Sequence, residues 1–278
     1  MTYKNIEVLD FYRELPFNIY GNLDSAEEQI KRYNPLEIYP ELKKIIDKYD
    51  KIKIIDFGCG GGWLVNSLSY HLKNKADVTG VDFNPVVIEY ANKIKNNLNL
   101  SSKFFSSDLF TFQNEAKYDL IISLGVLHHT NNCSEAIKHI STFGSDNSFL
   151  FLGLYHSYGR KPFLEYFKNM TNKSENFKFN EYKKLHKISD EKKLYSWFRD
   201  QVLHPHETQH SFEEMITVFK LINFKIIATS INKFEEISNF DEIVEEEKKL
   251  KSYSEQKLKK KEYFPGFFIT IGKKISNY

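Results

Sequence analysis

The chain has 278 residues, 41% of them hydrophobic and 15% aromatic, enough for one sizeable domain with insertions. Its formal net charge of +2 implies no basic face for nucleic acid, and two distant cysteines, Cys59 and Cys133, offer no disulfide framework. The N-terminus is too charged for a signal peptide and no apolar run reaches spanning length, so a soluble chain in a reducing, cytoplasmic setting without a membrane partner is expected.

In chain order, residues 10–15 form a short amphipathic piece stopped by Pro16. Asp24 and Ser25 open a helix with acids in its first turn and bases in its last. Residues 35–49 read as one further helix, so residues 1–50 form an N-terminal helical cap. Residues 51–57 then alternate and run apolar, as a strand buried on both faces does. The strand breaks into Asp56-Phe57-Gly58-Cys59-Gly60-Gly61-Gly62 and reopens as a helix at Trp63. Glycine tolerates positive φ and lets a ligand approach the backbone, and a helix start aims free N–H groups over the turn. A dinucleotide fingerprint needs a third glycine where Trp63 stands, which counts against NAD or FAD. Cys59, inside the turn, reads as a small packing side chain.

The spacing that fits is D-x-G-x-G-x-G, as Asp56, Gly58, Gly60 and Gly62. It resembles the first motif of the class I S-adenosylmethionine-dependent methyltransferases. The resemblance implies a Rossmann-like, doubly wound, mostly parallel seven-stranded α/β sheet with an antiparallel last strand. An acid at the strand tip suits the ammonium of adenosylmethionine, and the helix start suits its carboxylate. The resemblance also implies an N-terminal segment folded over the site, with Tyr20, Asn18 and Asn22 of the aromatic loop 16–22 as lining candidates. A plain surface turn is the rival reading of that loop.

The second strand, 76–82, ends in Asp82, at the place where an acid accepts both ribose hydroxyls, and Phe83 can pack on the adenine. A third strand, 103–107, precedes Asp108 and Leu109, the positions that the family uses for the adenine amino group and ring. The fourth strand, 118–124, ends in Leu124 at the cofactor side and runs into Gly125-Val126-Leu127-His128-His129-Thr130. That segment looks like those of small-molecule methyltransferases acting on quinone precursors, and unlike the N/D-P-P-Y/F segment of enzymes that methylate amino groups of bases. His128 and His129 are candidate bases, since histidine titrates near neutrality; packing and loop bracing are the alternatives.

A helix over 133–142 and a fifth strand over 147–154 lead to Tyr155-His156-Ser157-Tyr158-Gly159-Arg160. Ligands bind at the carboxyl ends of strands in open α/β sheets, so Tyr155 and Arg160 are substrate candidates and His156 a catalytic one; helix capping is the rival. Residues 156–210 form a lid or substrate-recognition insertion, with helices over 161–170 and 190–201 joined by a Lys/Asn-rich tether. Its end holds His204, His206, Glu207 and His210. His206 to His210 match H-E-x-x-H, but Ser211 and Glu214 form a capping box that starts the helix after the motif, against a zinc protease. No metal is expected, a set from His204, His206 and His210 staying open. His204, His206 and Glu207 read as a polar pocket wall or as a solvent-facing loop.

Residues 211–278 complete the core, with strands over 223–230 and 267–271 as an antiparallel pair at the sheet edge. Between them, 232–262 is a charged helical insertion, solvated through Glu245/Lys249 and Glu247/Lys251. The expected activity is in-line methyl transfer to a small-molecule acceptor. The rivals are a methyltransferase acting on tRNA or protein and a noncatalytic adenosylmethionine-binding module.

Overall fold

The computed structural model describes residues 6–17, 19 and 22–275. Four helices precede the sheet: α1 (Ile6–Glu14), α2 (Leu23–Arg32), α3 (Pro35–Ile38) and α4 (Pro40–Ile46). Two expectations are corrected there. The cap of α2 is Asn22, whose side chain accepts from Ser25 N. The single helix over 35–49 is two, because Pro40 lacks the N–H that would continue the first.

The core alternates strand and helix: β1 (Ile52–Phe57), α5 (Trp63–Leu72), β2 (Ala76–Asp82), α6 (Pro85–Asn97), β3 (Lys103–Ser106), β4 (Tyr118–Leu124), α7 (Cys133–Ser141) and β5 (Gly144–Tyr155). The lid follows as α8 (Ser157–Lys168), α9 (Glu175–Lys183) and α10 (Glu191–Phe198), the last continuing into a π-helical turn, Arg199–Leu203. The Lys/Asn-rich tether is thus largely α9, capped by Ser174. The chain closes with α11 (Phe212–Leu221), β6 (Phe224–Thr229), α12 (Phe240–Lys259) and β7 (Phe267–Lys274).

The seven strands run in the order β3-β2-β1-β4-β5-β7-β6, parallel from β3 to β5, with β7 antiparallel to both neighbours. This is the expected fold. One sheet face packs Ile54, Val65, Leu68 and Leu120 with α4 and α5; the other packs Ile55, Ile121, Ile137 and Phe219 with α7 and α11. The lid has a small aromatic core of its own around Phe163, Phe167, Tyr182 and Phe198.

The helix α12 departs from the expected solvated element. It packs along α8 and buries Ile243, Glu247 and Ser254. Its surface ion pairs include the i,i+3 pairs Glu245–Lys248 and Glu246–Lys249 rather than the expected i,i+4 ones. Glu247 instead points inward, accepting from His156 Nε2 at 2.8 Å and from Phe212 N at 2.6 Å.

Candidate active site

The turn after β1 places Gly58, Gly60 and Gly62 at φ of 75°, 51° and 75°, the left-handed region that a side chain disfavours. The three differ in what a methyl group would meet. At Gly58 it would stand 2.4 Å from the Val126 side chain; at Gly62 it would strike Ala91 and Phe104. At Gly60 it would meet nothing within 4 Å, because that position opens on a cavity. Gly58 shares the cavity wall, whereas Gly62 caps α5 and packs away from it.

The cavity has a volume of about 500 Å³ and follows the carboxyl ends of the strands. From β3 towards β7 its wall passes through Asp108 and Leu109, Asp82 and Phe83, Gly58 and Gly60, Leu124, and then Tyr155 and Phe267. The Asp82 carboxylate accepts from Gly60 N and Asn84 N, each at 2.9 Å. Burial pushes it up to about 6 against those two N–H groups. Asp108 accepts from Phe110 N at 2.9 Å and so braces its own turn. Asp56 is buried outside the cavity wall, and burial together with Asp82 pushes its carboxyl up to about 8.

The remaining wall comes from α1 and the lid. Val8 and Tyr12 of α1 face the cavity, and Asn84 Nδ2 donates to the Tyr12 carbonyl, tying this helix to the Asp82 loop. Tyr20 and Asn18 lie outside the described residues; Asn22 is engaged as the cap of α2. The π-helical turn brings Asp200 and Gln201 to the wall, beside Trp197 and Tyr263. Tyr12 Oη donates to Asp200 Oδ1 at 2.5 Å.

Of the candidate histidines, the structure brings His129 to the cavity. Its Nδ1 donates to the His206 carbonyl at 2.9 Å, which fixes the tautomer and leaves a lone pair on Nε2. That Nε2 is buried with no hydrogen-bond partner and lies 4.0 Å from Asp200 Oδ1. Burial lowers the ring to about 4, so it is neutral at physiological pH. His128 packs behind it, Nδ1 accepting from Tyr155 N at 3.2 Å. His156 is also outside the cavity: Nδ1 caps α8, accepting from Tyr158 N and Gly159 N, and Nε2 meets Glu247.

Tyr155 lines the cavity, but Arg160 does not. The Arg160 guanidinium is fully buried, held by both Glu207 oxygens at 3.0 and 2.7 Å and by the Gln201 carbonyl at 2.7 Å. It lies 3.9 Å from the Tyr155 ring centre. Glu207 is therefore a strut rather than a substrate group. His206 Nε2 donates to the Thr130 carbonyl, and His204 stacks on His129 at 3.8 Å, away from the wall. His210 pairs with Glu214 and Thr208, in a loop that precedes α11. Glu214 N donates to Ser211 Oγ, the expected cap, while the Glu214 carboxylate turns to His210. Tyr12, Trp197, Asp200, Gln201 and Tyr263 are among the wall residues that sequence reasoning missed. The Asp200-Gln201 pair, at the start of the histidine-rich segment, was the available signal.

A glycine turn and two strand-end acids face one cavity at the carboxyl edge of this sheet, and the seven-stranded order is that of the class I methyltransferase fold. The chain belongs to the methyltransferase-domain family, whose model matches residues 48–216, and which comprises enzymes dependent on S-adenosylmethionine. It is similar to the ubiquinone biosynthesis O-methyltransferase of Rickettsia bellii, 29% identical over 44% of this chain and 50% of that protein. It is also similar to the malonyl-[acyl-carrier protein] O-methyltransferase of Bacillus anthracis, 31% identical over 41% of this chain and 40% of that one. The chain thus spans about half the length of the curated relatives it matches. Among solved structures, the plantazolicin methyltransferase BpumL shares the fold at TM-score 0.56 and 20% identity, over 98% of this chain and 95% of that one. Magnesium protoporphyrin IX methyltransferase from Synechocystis PCC 6803 shares it at TM-score 0.55 and 15% identity, over 98% and 97%. Among the described residues no helix is long and apolar enough to cross a membrane.

Proposed function

We propose that this chain moves a methyl group from S-adenosylmethionine to a small-molecule acceptor. The observation that carries the reading is the shared cavity: Asp82, Asp108 and Gly60 face the same hollow as Tyr12, His129, Tyr155 and Trp197. Asp82 and Asp108 put acids on the wall, and among the described residues no lysine or arginine lines it to oppose a cofactor that carries positive charge. When bound, S-adenosylmethionine supplies an activated methyl group on a sulfonium that leaves readily.

The chain's own groups then have separable tasks. Asp82 would hold the ribose hydroxyls, and Asp108 with the Leu109 backbone the adenine. Gly58 and Gly60 keep the turn free of side chains. The aromatic wall excludes water and aligns the acceptor, and positioning of this kind contributes about 7–11 kcal/mol to a two-reactant step. His129, neutral and with a free lone pair in the wall, is the group placed to accept a proton from the acceptor. Incubating the chain with methyl-labelled cofactor and fractionated cell extract tests the reading. Label is expected in the low-molecular-weight fraction; label confined to RNA or protein would overturn it.

A further inference from the structure

The acceptor side of the cavity presents an unusual pair. His129 Nε2 carries a lone pair, is buried, and has no hydrogen-bond partner among the described residues. Asp200 Oδ1 stands 4.0 Å from it and also faces the cavity. Both groups accept, and the Tyr12 hydroxyl that donates to Asp200 does not reach His129 within hydrogen-bond distance. A buried acceptor left unmatched is costly, so a donor is expected between them.

The 4.0 Å span leaves room for a single bridging atom, and an acceptor's amino group is the substrate group that can replace a bridging water there. One atom at about 2.9 Å from both acceptors fits between them, provided that it carries two hydrogens. A hydroxyl carries one, which matches His129 Nε2 while Asp200 Oδ1 keeps only the donor that it already has in Tyr12. An amino nitrogen carries two, and its lone pair then points away from both acceptors. The surroundings agree: Asp200 is an acid, and Tyr12 and Trp197 bring aromatic rings to the same wall. Among the described residues no lysine or arginine lines the cavity to hold a carboxylate or phosphate, and Arg160 is already held by Glu207 and by backbone carbonyls.

We propose that His129 and Asp200 form a seat for the amino nitrogen of the acceptor, so that the methylated atom is the nitrogen of a primary amine. The proposal rests on the methyl-transfer reading and deepens it. In the step, the neutral amine's lone pair forms a bond to the methyl carbon while the carbon–sulfur bond breaks and leaves its electron pair on sulfur. The positive charge passes from sulfur to nitrogen, where the Asp200 carboxylate and the His129 lone pair stabilise it. The methylated ammonium then releases its extra proton to the His129 lone pair and from there to solvent, leaving a secondary amine.

Three probes matched in ring and size test the seat: benzylamine, benzyl alcohol and benzoate. Each is titrated by ligand-observed NMR into the full chain saturated with S-adenosylhomocysteine. Benzylamine is expected to bind about tenfold or more tighter than benzyl alcohol, and benzoate more weakly than either. Asp200→Asn is expected to abolish most of that preference while binding of S-adenosylhomocysteine stays unchanged. Should that variant not fold, His129→Gln, which moves the lone pair, is expected to reduce it likewise. Equal binding of amine and alcohol, no binding of any probe, or a preference that survives a folded variant would overturn the seat. Failure of S-adenosylhomocysteine to bind would break the methyl-transfer reading instead, and the amine preference is then measured on the chain alone.

Discussion

The two sides of the cavity are built differently. On the side proposed for the cofactor, the two acids are held by backbone close to them in the chain or on the neighbouring strand. Asp82 takes Gly60 N and Asn84 N, and Asp108 takes Phe110 N. On the acceptor side, side chains distant in sequence hold one another. Tyr12 meets Asp200 across 188 residues, His156 meets Glu247 across 91, and Arg160 meets Glu207 across 47. A site held by local backbone keeps its shape when one side chain is lost. A site held by buried charge pairs does not, because the surviving charge is stranded.

Removing one strut is the harshest way to break this contrast. Glu207→Ala leaves the buried Arg160 guanidinium without its carboxylate and is expected to cost about 3–5 kcal/mol in a denaturant melt. Asp108→Ala, on the other side, is expected to cost about 1 kcal/mol or less. Comparable losses at the two positions would erase the distinction.

The glycines sharpen it at smaller scale. Gly58→Ala forces a methyl group to within 2.4 Å of Val126 at a φ of 75° and is expected to cost about 2–3 kcal/mol of stability. Gly60→Ala has open space, so it is expected to cost only about 1 kcal/mol from its backbone conformation. Its loss appears instead in affinity for S-adenosylhomocysteine, about tenfold or more, because the added methyl enters the cavity. Thermal melts and calorimetry on the two variants separate a packing glycine from a binding one.

A gentler probe uses pH. The Asp56 carboxyl, raised to about 8 in the fold, resists ionisation there but ionises freely when unfolded. The folded chain therefore binds more protons, and the stability linked to this group is lost as pH rises from its unfolded value through about 8. Asp56→Asn cannot titrate. Its stability relative to the parent is expected to grow by about 2–3 kcal/mol between about pH 6 and about pH 9 in the cofactor-free chain. Parallel melting curves for the two would place Asp56 in water rather than in the core.

The same contrast explains what the sequence disclosed. The alternation of strand and helix, the glycine spacing and the acids Asp82 and Asp108 are local patterns, and the fold and the cofactor wall follow from them. Arg160, Glu207 and His156 looked like substrate or catalytic groups because they sit at a strand's carboxyl end or in a polar loop. Position along the chain does not say that a partner 47 or 91 residues away has already claimed them. Glu247 shows the converse: its surface-helix spacing concealed a buried carboxylate. Asp200 was hidden for a further reason. It sits on a π-helical turn, where 3.6-residue periodicity no longer predicts which way a side chain faces.

The central claim is that the hollow beside Gly60 holds an adenosyl ligand through Asp82. Calorimetric titration of S-adenosylhomocysteine into the parent chain and into Asp82→Ala tests it directly. Loss of the hydrogen bonds from two ribose hydroxyls to an ionised carboxylate, each about 1.5–3 kcal/mol, is expected to weaken binding by roughly 100-fold or more. Equal affinity in the two proteins would contradict it.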